Sequence, residues 1–176
     1  MKIVSSIVVF LLAASVVGAV SMHTDLAPGT PPLPAPGTTI PLDASAVFDT
    51  GSGLWTYTYV IDPRNALLPI TGFSVANVNH YVFYDATNNK NFVNPTWENF
   101  PSSVYWMGGS APQNGGLIIF SFTSPLGPTV VNCTLHGGTK VAVGETLGMI
   151  PEPMSLLAIG TLLTGGAVAL RRRKNK

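Results

Sequence analysis

Asp49-Thr50-Gly51-Ser52-Gly53-Leu54-Trp55 is the segment whose residue types come closest to a reaction centre. A carboxylate on a glycine-bearing loop can share a proton with a second carboxylate, and the pair can then activate water. No second Asp-(Thr/Ser)-Gly occurs, so only two copies of the chain could complete such a dyad. The same composition also suits a tight turn between two strands, and that is the reading preferred here. The histidines His23, His80 and His136 lie far apart, whereas metal sites need converging ligands, so no metal or other cofactor is expected. Cys133 and His136 could meet, but one such pair makes neither a zinc site nor a complete nucleophilic site. With one cysteine an intramolecular disulfide is excluded, and Cys133 is expected as a small buried strand residue. Asp62, Asp85 and Glu98 are isolated acids near turns and read as solvated. Trp55, Trp97 and Trp106, with Tyr57, Tyr59, Tyr81, Tyr84 and Tyr105, could stack on the apolar faces of sugar rings. Most of them are needed for a core in a domain this small. Trp97, in the turn-rich Asn94–Glu98 segment, is the residue placed for glycan stacking.

The elements that must position these residues read as strands. Leu54 to Ile61 is rich in aromatic and β-branched residues, with Trp55, Tyr57, Tyr59 and Ile61 on one face and Leu54, Thr56, Thr58 and Val60 on the other. Further strands are expected at Ile70–Val75, His80–Tyr84, Ser103–Met107, Leu117–Thr123, Thr129–Leu135 and Lys140–Val143. Turn signals separate them at Asp62-Pro63, Asn88-Asn89, Gly108-Gly109, Gly115-Gly116 and Gly137-Gly138. No long helical pattern interrupts them, so residues 46–150 are expected to form a single antiparallel β-sandwich domain. Residues 20–45 contain the proline-rich run 28–41 and are expected as an extended leader and linker.

The two ends of the 176-residue chain set an address. Lys2, the apolar stretch Ile3–Val17 and the small residues Gly18-Ala19 read as a secretory signal peptide over residues 1–19. Cleavage after Ala19 is preferred and after Ser21 is the second choice. Between Met22 and Ile150 there are three basic and seven acidic residues, a net charge of −4, which gives no electrostatic footprint for nucleic acid. Met154–Leu170 carries no charge; at ~1.5 Å per residue a helix there would be roughly 25 Å long, close to a bilayer's hydrocarbon thickness. Arg171, Arg172, Arg173 and Lys174 follow, a cluster that resists translocation and should hold residues 171–176 in the cytoplasm. Just before the span, Pro151-Glu152-Pro153 should form a stiff, extended strip at the membrane surface, since neither proline can donate a backbone hydrogen bond.

Residues 151–174, motif then apolar span then basic cluster, resemble the PEP-CTERM sorting signal of Gram-negative bacteria. The resemblance implies recognition at Pro151-Glu152-Pro153 by an exosortase, a membrane cysteine transpeptidase. It also implies an association with exopolysaccharide or biofilm matrix. Two other likenesses carry less. Asp49–Trp55 resembles the catalytic loop of aspartic proteases but is one residue short of Asp-Thr-Gly-Ser-x-x-Leu-Trp. Leu68-Pro69-Ile70-Thr71-Gly72 spells the LPxTG signal of Gram-positive sortase substrates, yet stands about 80 residues before the span and reads as the start of a strand. The expectation is a non-enzymatic structural protein of the cell surface or extracellular matrix. It would be exported by signal peptidase and the secretion machinery, held in the inner membrane by 154–170, and sorted by an exosortase. The alternatives are a carbohydrate-binding module contacting extracellular polysaccharide, and a dimeric aspartic protease using Asp49.

Overall fold

The computed structural model describes residues 18–76, 83–96, 99 and 102–149. Nine strands run through them: β1 (Ala19–Pro28), β2 (Ile40–Asp49), β3 (Leu54–Ile61), β4 (Ile70–Ala76), β5 (Tyr84–Asn88), β6 (Ser103–Ala111), β7 (Ile118–Ser124), β8 (Pro128–Gly137) and β9 (Lys140–Met149). The fold is mainly β, and every pairing between these strands is antiparallel. The strands form one sheet in the order β5-β7-β3-β2-β1-β9-β8-β4-β6, curled as a half-barrel. Strand spacing suggested two stacked sheets; hydrogen bonding instead passes through β1, which belongs to both halves. Residues 19–26 of β1 pair with β2, and Ala27 and Pro28 pair with Val143 and Ala142 of β9.

The period-2 pattern of β3 gives the sheet its inner face. Tyr57, Tyr59 and Ile61 are fully buried, while Thr56, Thr58 and Val60 face outward and are half-buried. Across the interior, β3 and β7 meet β4 and β6 through rings: Tyr59 lies 5.3 Å from Phe73, Phe73 5.2 Å from Phe120, and Trp106 5.0 Å from Phe120. Such tilted and offset contacts between rings add to their area burial. The phenols that reach the interior are satisfied, Tyr57 donating to the Leu126 carbonyl and Tyr59 to that of Leu147, each at 2.7 Å.

Both ends of the sheet are brought together by the segment after β5. Trp106 Nε1 on β6 donates to the Thr87 carbonyl on β5 at 3.1 Å. Val93 exchanges backbone hydrogen bonds with Met107, its N–H donating at 2.7 Å. Asn88 shapes this strap: its Oδ1 accepts from the Lys90 and Phe92 N–H groups, and its Nδ2 donates to the Phe92 carbonyl and to Asn94. Gly108-Gly109, expected as a turn, lies within β6. Ile70 pairs with Ala111 but Gly72 with Met107, so the extra residues bulge out. Gly108 takes φ +72°, and a Cβ on Gly109 would sit 2.7 Å from the Phe92 ring that packs there.

The N-terminal third departs from expectation. Residues 20–45, anticipated as leader and linker, supply most of β1 and the first half of β2, in the middle of the sheet. Even the proline run is fixed. Leu33 is fully buried, its N–H donates to the Val141 carbonyl, and its own carbonyl accepts from Leu67. Prolines remove donors but not the acceptors or the N–H groups of residues between them, and here the N–H groups of Gly29, Leu33, Ala35 and Thr38 each find a backbone carbonyl.

Strand directions place both boundaries of the domain at one end. β1 and β9 are antiparallel, so the start of β1 and the finish of β9 lie on the same side. The Asp49–Leu54 turn and the β7–β8 connection share that side, whereas the β1–β2, β3–β4 and β6–β7 connections are at the other. The expected strand His80–Tyr84 falls largely on residues outside the described set, as do residues 1–17 and 150–176. Among the described residues no helix is long and apolar enough to cross a membrane.

Candidate functional site

Asp49 closes the β2–β3 hairpin. Its Oδ1 accepts from the Gly51 N–H at 2.9 Å and its Oδ2 from the Ser52 hydroxyl at 2.7 Å. These bonds, the Ser52 hydroxyl first, hold its carboxyl below the ordinary aspartate range. The residue is exposed and engaged in an Asx-type turn, the arrangement its neighbours Thr50-Gly51-Ser52-Gly53 favour. Thr71 and Gly72 of the LPxTG-like run lie in β4, where the Thr71 hydroxyl accepts from the Gly138 N–H.

Cys133 is buried on β8, and burial pushes its thiol up to about 12, so at neutral pH it is a thiol and not a thiolate. His136, three residues on, has its ring 5.4 Å from that of Tyr105, and burial lowers its pKa. Among the described residues no group of three or more His, Cys, Asp or Glu side chains could hold a metal. Trp97, the sorting tripeptide Pro151-Glu152-Pro153 and the cluster Arg171, Arg172, Arg173 and Lys174 all lie outside the described residues.

His23 is less isolated than its sequence position implied. It sits on the outer face of β1 opposite Asp43 of β2, with Nδ1 at 2.7 Å from the Asp43 carboxylate and Nε2 at 3.9 Å from Asp25. The bond to Asp43 raises its pKa above the ordinary value of about 6.5. A folded-state value above the unfolded one stabilises the fold below the unfolded pKa, and that contribution is lost as pH rises through the folded value. NMR titration of the His23 ring should therefore give a midpoint above 6.5, and Asp43→Asn should move it downward. An unchanged midpoint in that variant would show that the Asp43 contact does not exist in solution.

A concavity lies at the end of the sheet away from both boundaries of the domain. It is a groove of about 620 Å³ lined by Asp62, Arg64, Gln113, Asn114, Gly116 and Leu117. Its volume is within the usual range for small-ligand sites, roughly 300–1,000 Å³. One wall is the 3-10 turn Pro63–Asn65 that follows β3. Asp62 caps this turn by accepting from the Arg64 N–H, and the proline after it presets the backbone. Arg64 folds back so that Nε bonds both Asp62 oxygens at 2.9 Å and Nη2 bonds Oδ2. Arg64 thereby lowers the Asp62 pKa. The Asp62 side chain is 17% exposed and that of Arg64 79%, so the carboxylate is the fixed partner and the guanidinium the reachable one.

The opposite wall is the β6–β7 connection. Gly115 donates to the Pro112 carbonyl at 2.9 Å, and the Gly115 carbonyl accepts from Lys90 Nζ at 2.6 Å. Asn89 extends the pairing of β7, donating to the Leu117 carbonyl and accepting from the Ile119 N–H at 2.9 Å. The groove is thus framed by segments that are each tied to the sheet or to residues beside it. The first wall is tied as well, through Asn65 Nδ2 to the Thr39 carbonyl at 2.8 Å. Asp62, expected as a solvated acid, is instead largely covered and bonded to Arg64, and Arg64, Gln113 and Asn114 were not among the expected site residues. The local signal was present in Asp-Pro-Arg-Asn, a capped turn; the approach of a turn 50 residues further on depends on tertiary pairing. No protein-family model matches the chain, and no curated protein sequence matches it.

Proposed function

We propose that this chain is an exported, non-enzymatic structural protein of the bacterial cell surface or extracellular matrix, sorted through its C-terminal tail. The observation that carries the reading is the order of Pro151-Glu152-Pro153, the uncharged span 154–170 and the Arg171–Lys174 cluster, which resembles a PEP-CTERM signal. An exosortase acts on the tripeptide while the span holds the chain in the inner membrane with its basic end in the cytoplasm. The body then passes to the surface or the polysaccharide matrix. Signal peptidase removes residues 1–19, so that the mature chain starts at Val20 and keeps almost all of β1. The later cut, after Ser21, would take away three residues that pair with Ser45, Ala46 and Val47. The curled sheet is read as a sandwich variant whose two layers stay joined through β1. The common side of the domain's two boundaries supports the reading, since Met149 stands two residues from the tripeptide and the body can extend away from the membrane.

The test is replacement of Pro151, Glu152 and Pro153 by alanine in cells that carry an exosortase. The variant should accumulate unprocessed in the inner-membrane fraction, while the wild type is shortened and reaches the surface or medium. Equal processing and equal fractionation of the two forms would refute the sorting claim.

A further inference from the structure

We infer that the groove between the Pro63–Asn65 turn and the β6–β7 connection is a binding site for a neutral hexopyranose segment of a polysaccharide. This deepens the surface-protein reading and rests on it for the setting in which such a ligand would be met. Four of the lining residues, Asp62, Arg64, Gln113 and Asn114, carry planar polar groups, and Gly116 and Leu117 complete the lining. A sugar ring offers the matching surface: hydroxyls around its edge that both donate and accept, and C–H groups on its faces.

Each side chain has a distinct part in the match. Asp62, with both carboxylate oxygens bonded to Arg64, holds the exposed guanidinium in place for the ligand. The pair uses Nε and Nη2 of Arg64, leaving the Nη1 donors for a hydroxyl or ring oxygen. Gln113 and Asn114 each present a donor and an acceptor in one plane. Leu117, 50% exposed, gives an apolar patch for the ring's C–H face, and Gly116 lets the backbone approach closely because no Cβ stands in the way.

Charge narrows the class. Asp62 and Arg64, the charged residues of the lining, neutralise one another; Lys90, which keeps its charge on bonding the Gly115 carbonyl, is not part of the lining. Within the lining, an anionic sugar would find no uncompensated cation, and a cationic one no uncompensated carboxylate. The groove is also at the end of the sheet remote from residues 19 and 149, so it would face outward from a membrane to which the tail is attached.

The experiment uses the full chain in a sugar-free zwitterionic detergent, titrated by calorimetry with tetrasaccharides of glucose, galactose, mannose, N-acetylglucosamine and glucuronate. At least one neutral tetrasaccharide should bind. Asn114→Ala and Gln113→Ala, both in a surface connection, should each weaken it about tenfold, and Arg64→Ala likewise. Asn132→Ala, at an exposed position of β8, should leave it unchanged. The alanine variant of the tripeptide should bind as the wild type does, so a defect in sorting and a defect in the groove are read separately. No binding to any neutral tetrasaccharide, binding to glucuronate alone, or binding indifferent to all three groove substitutions would overturn the inference.

Discussion

Trp106→Ala is expected to destabilise the domain by about 3–5 kcal/mol, the usual range for truncating a large buried aromatic. The side chain is fully buried on β6 and lies within 6.2 Å of the rings of Tyr59, Phe73, Phe120 and Phe122, so its removal leaves a cavity between the two halves of the sheet. It also withdraws the indole N–H from the Thr87 carbonyl. Single domains are stable by only about 5–15 kcal/mol, so this loss would consume much of the total. Thermal unfolding of the full chain, followed by circular dichroism, should show a drop of roughly 10 °C or more. Trp106→Phe separates the two contributions. It keeps an aromatic ring in the core but not the donor, and should cost less than the alanine variant while leaving the Thr87 carbonyl without its indole partner. A midpoint for Trp106→Ala within 2–3 °C of wild type would mean the ring cluster is not the core.

Leu33→Ala is the second large effect, about 2–5 kcal/mol of destabilisation. It discriminates between two accounts of the proline-rich run. In a solvated linker the substitution would be silent. Here Leu33 is fully buried, and the Cβ of a residue at position 137 would come within 2.3 Å of its Cδ1, which shows how closely the run lies on the β8–β9 turn. Pro36→Ala is the control, an exposed position three residues on, where a change within about 0.5 kcal/mol is expected. Equal melting temperatures for Leu33→Ala and wild type would restore the linker.

How far the sequence could be read depended on how much hydrophobic contrast each strand carries. β3 and β7 alternate large aromatic or branched residues with Thr, Ser or smaller aliphatic residues, and both were legible. β1 has Ser21, His23 and Asp25 outward, and only Met22, Thr24 and Leu26 inward, a faint pattern that a neighbouring proline run hides. β2 begins Ile40-Pro41, and proline within a run ordinarily demotes it. Pro41 remains in the sheet because its carbonyl still accepts from the N–H of Asp62, the residue after β3. Gly108-Gly109 resembled a turn because glycine tolerates positive φ, yet the same property serves a bulge, and only the packing of Phe92 against Gly109 distinguishes the two. The Asp49 turn could be read locally because its bonds span three residues. The groove could not, since Asp62 and Gln113 are joined only through the pairing of β3 with β7.

The strap from Asn88 to Asn94 has a consequence for molecules that live at high density. A sheet normally ends in two rows of unpaired backbone groups, which invite a neighbouring chain to add itself as another strand. In this protein Val93 occupies part of the β6 margin. The other margin is the five-residue β5, interrupted at Asp85 with φ 48°. Copies of the domain that come to lie side by side therefore meet through side chains, and can stay separate molecules instead of joining into a fibre.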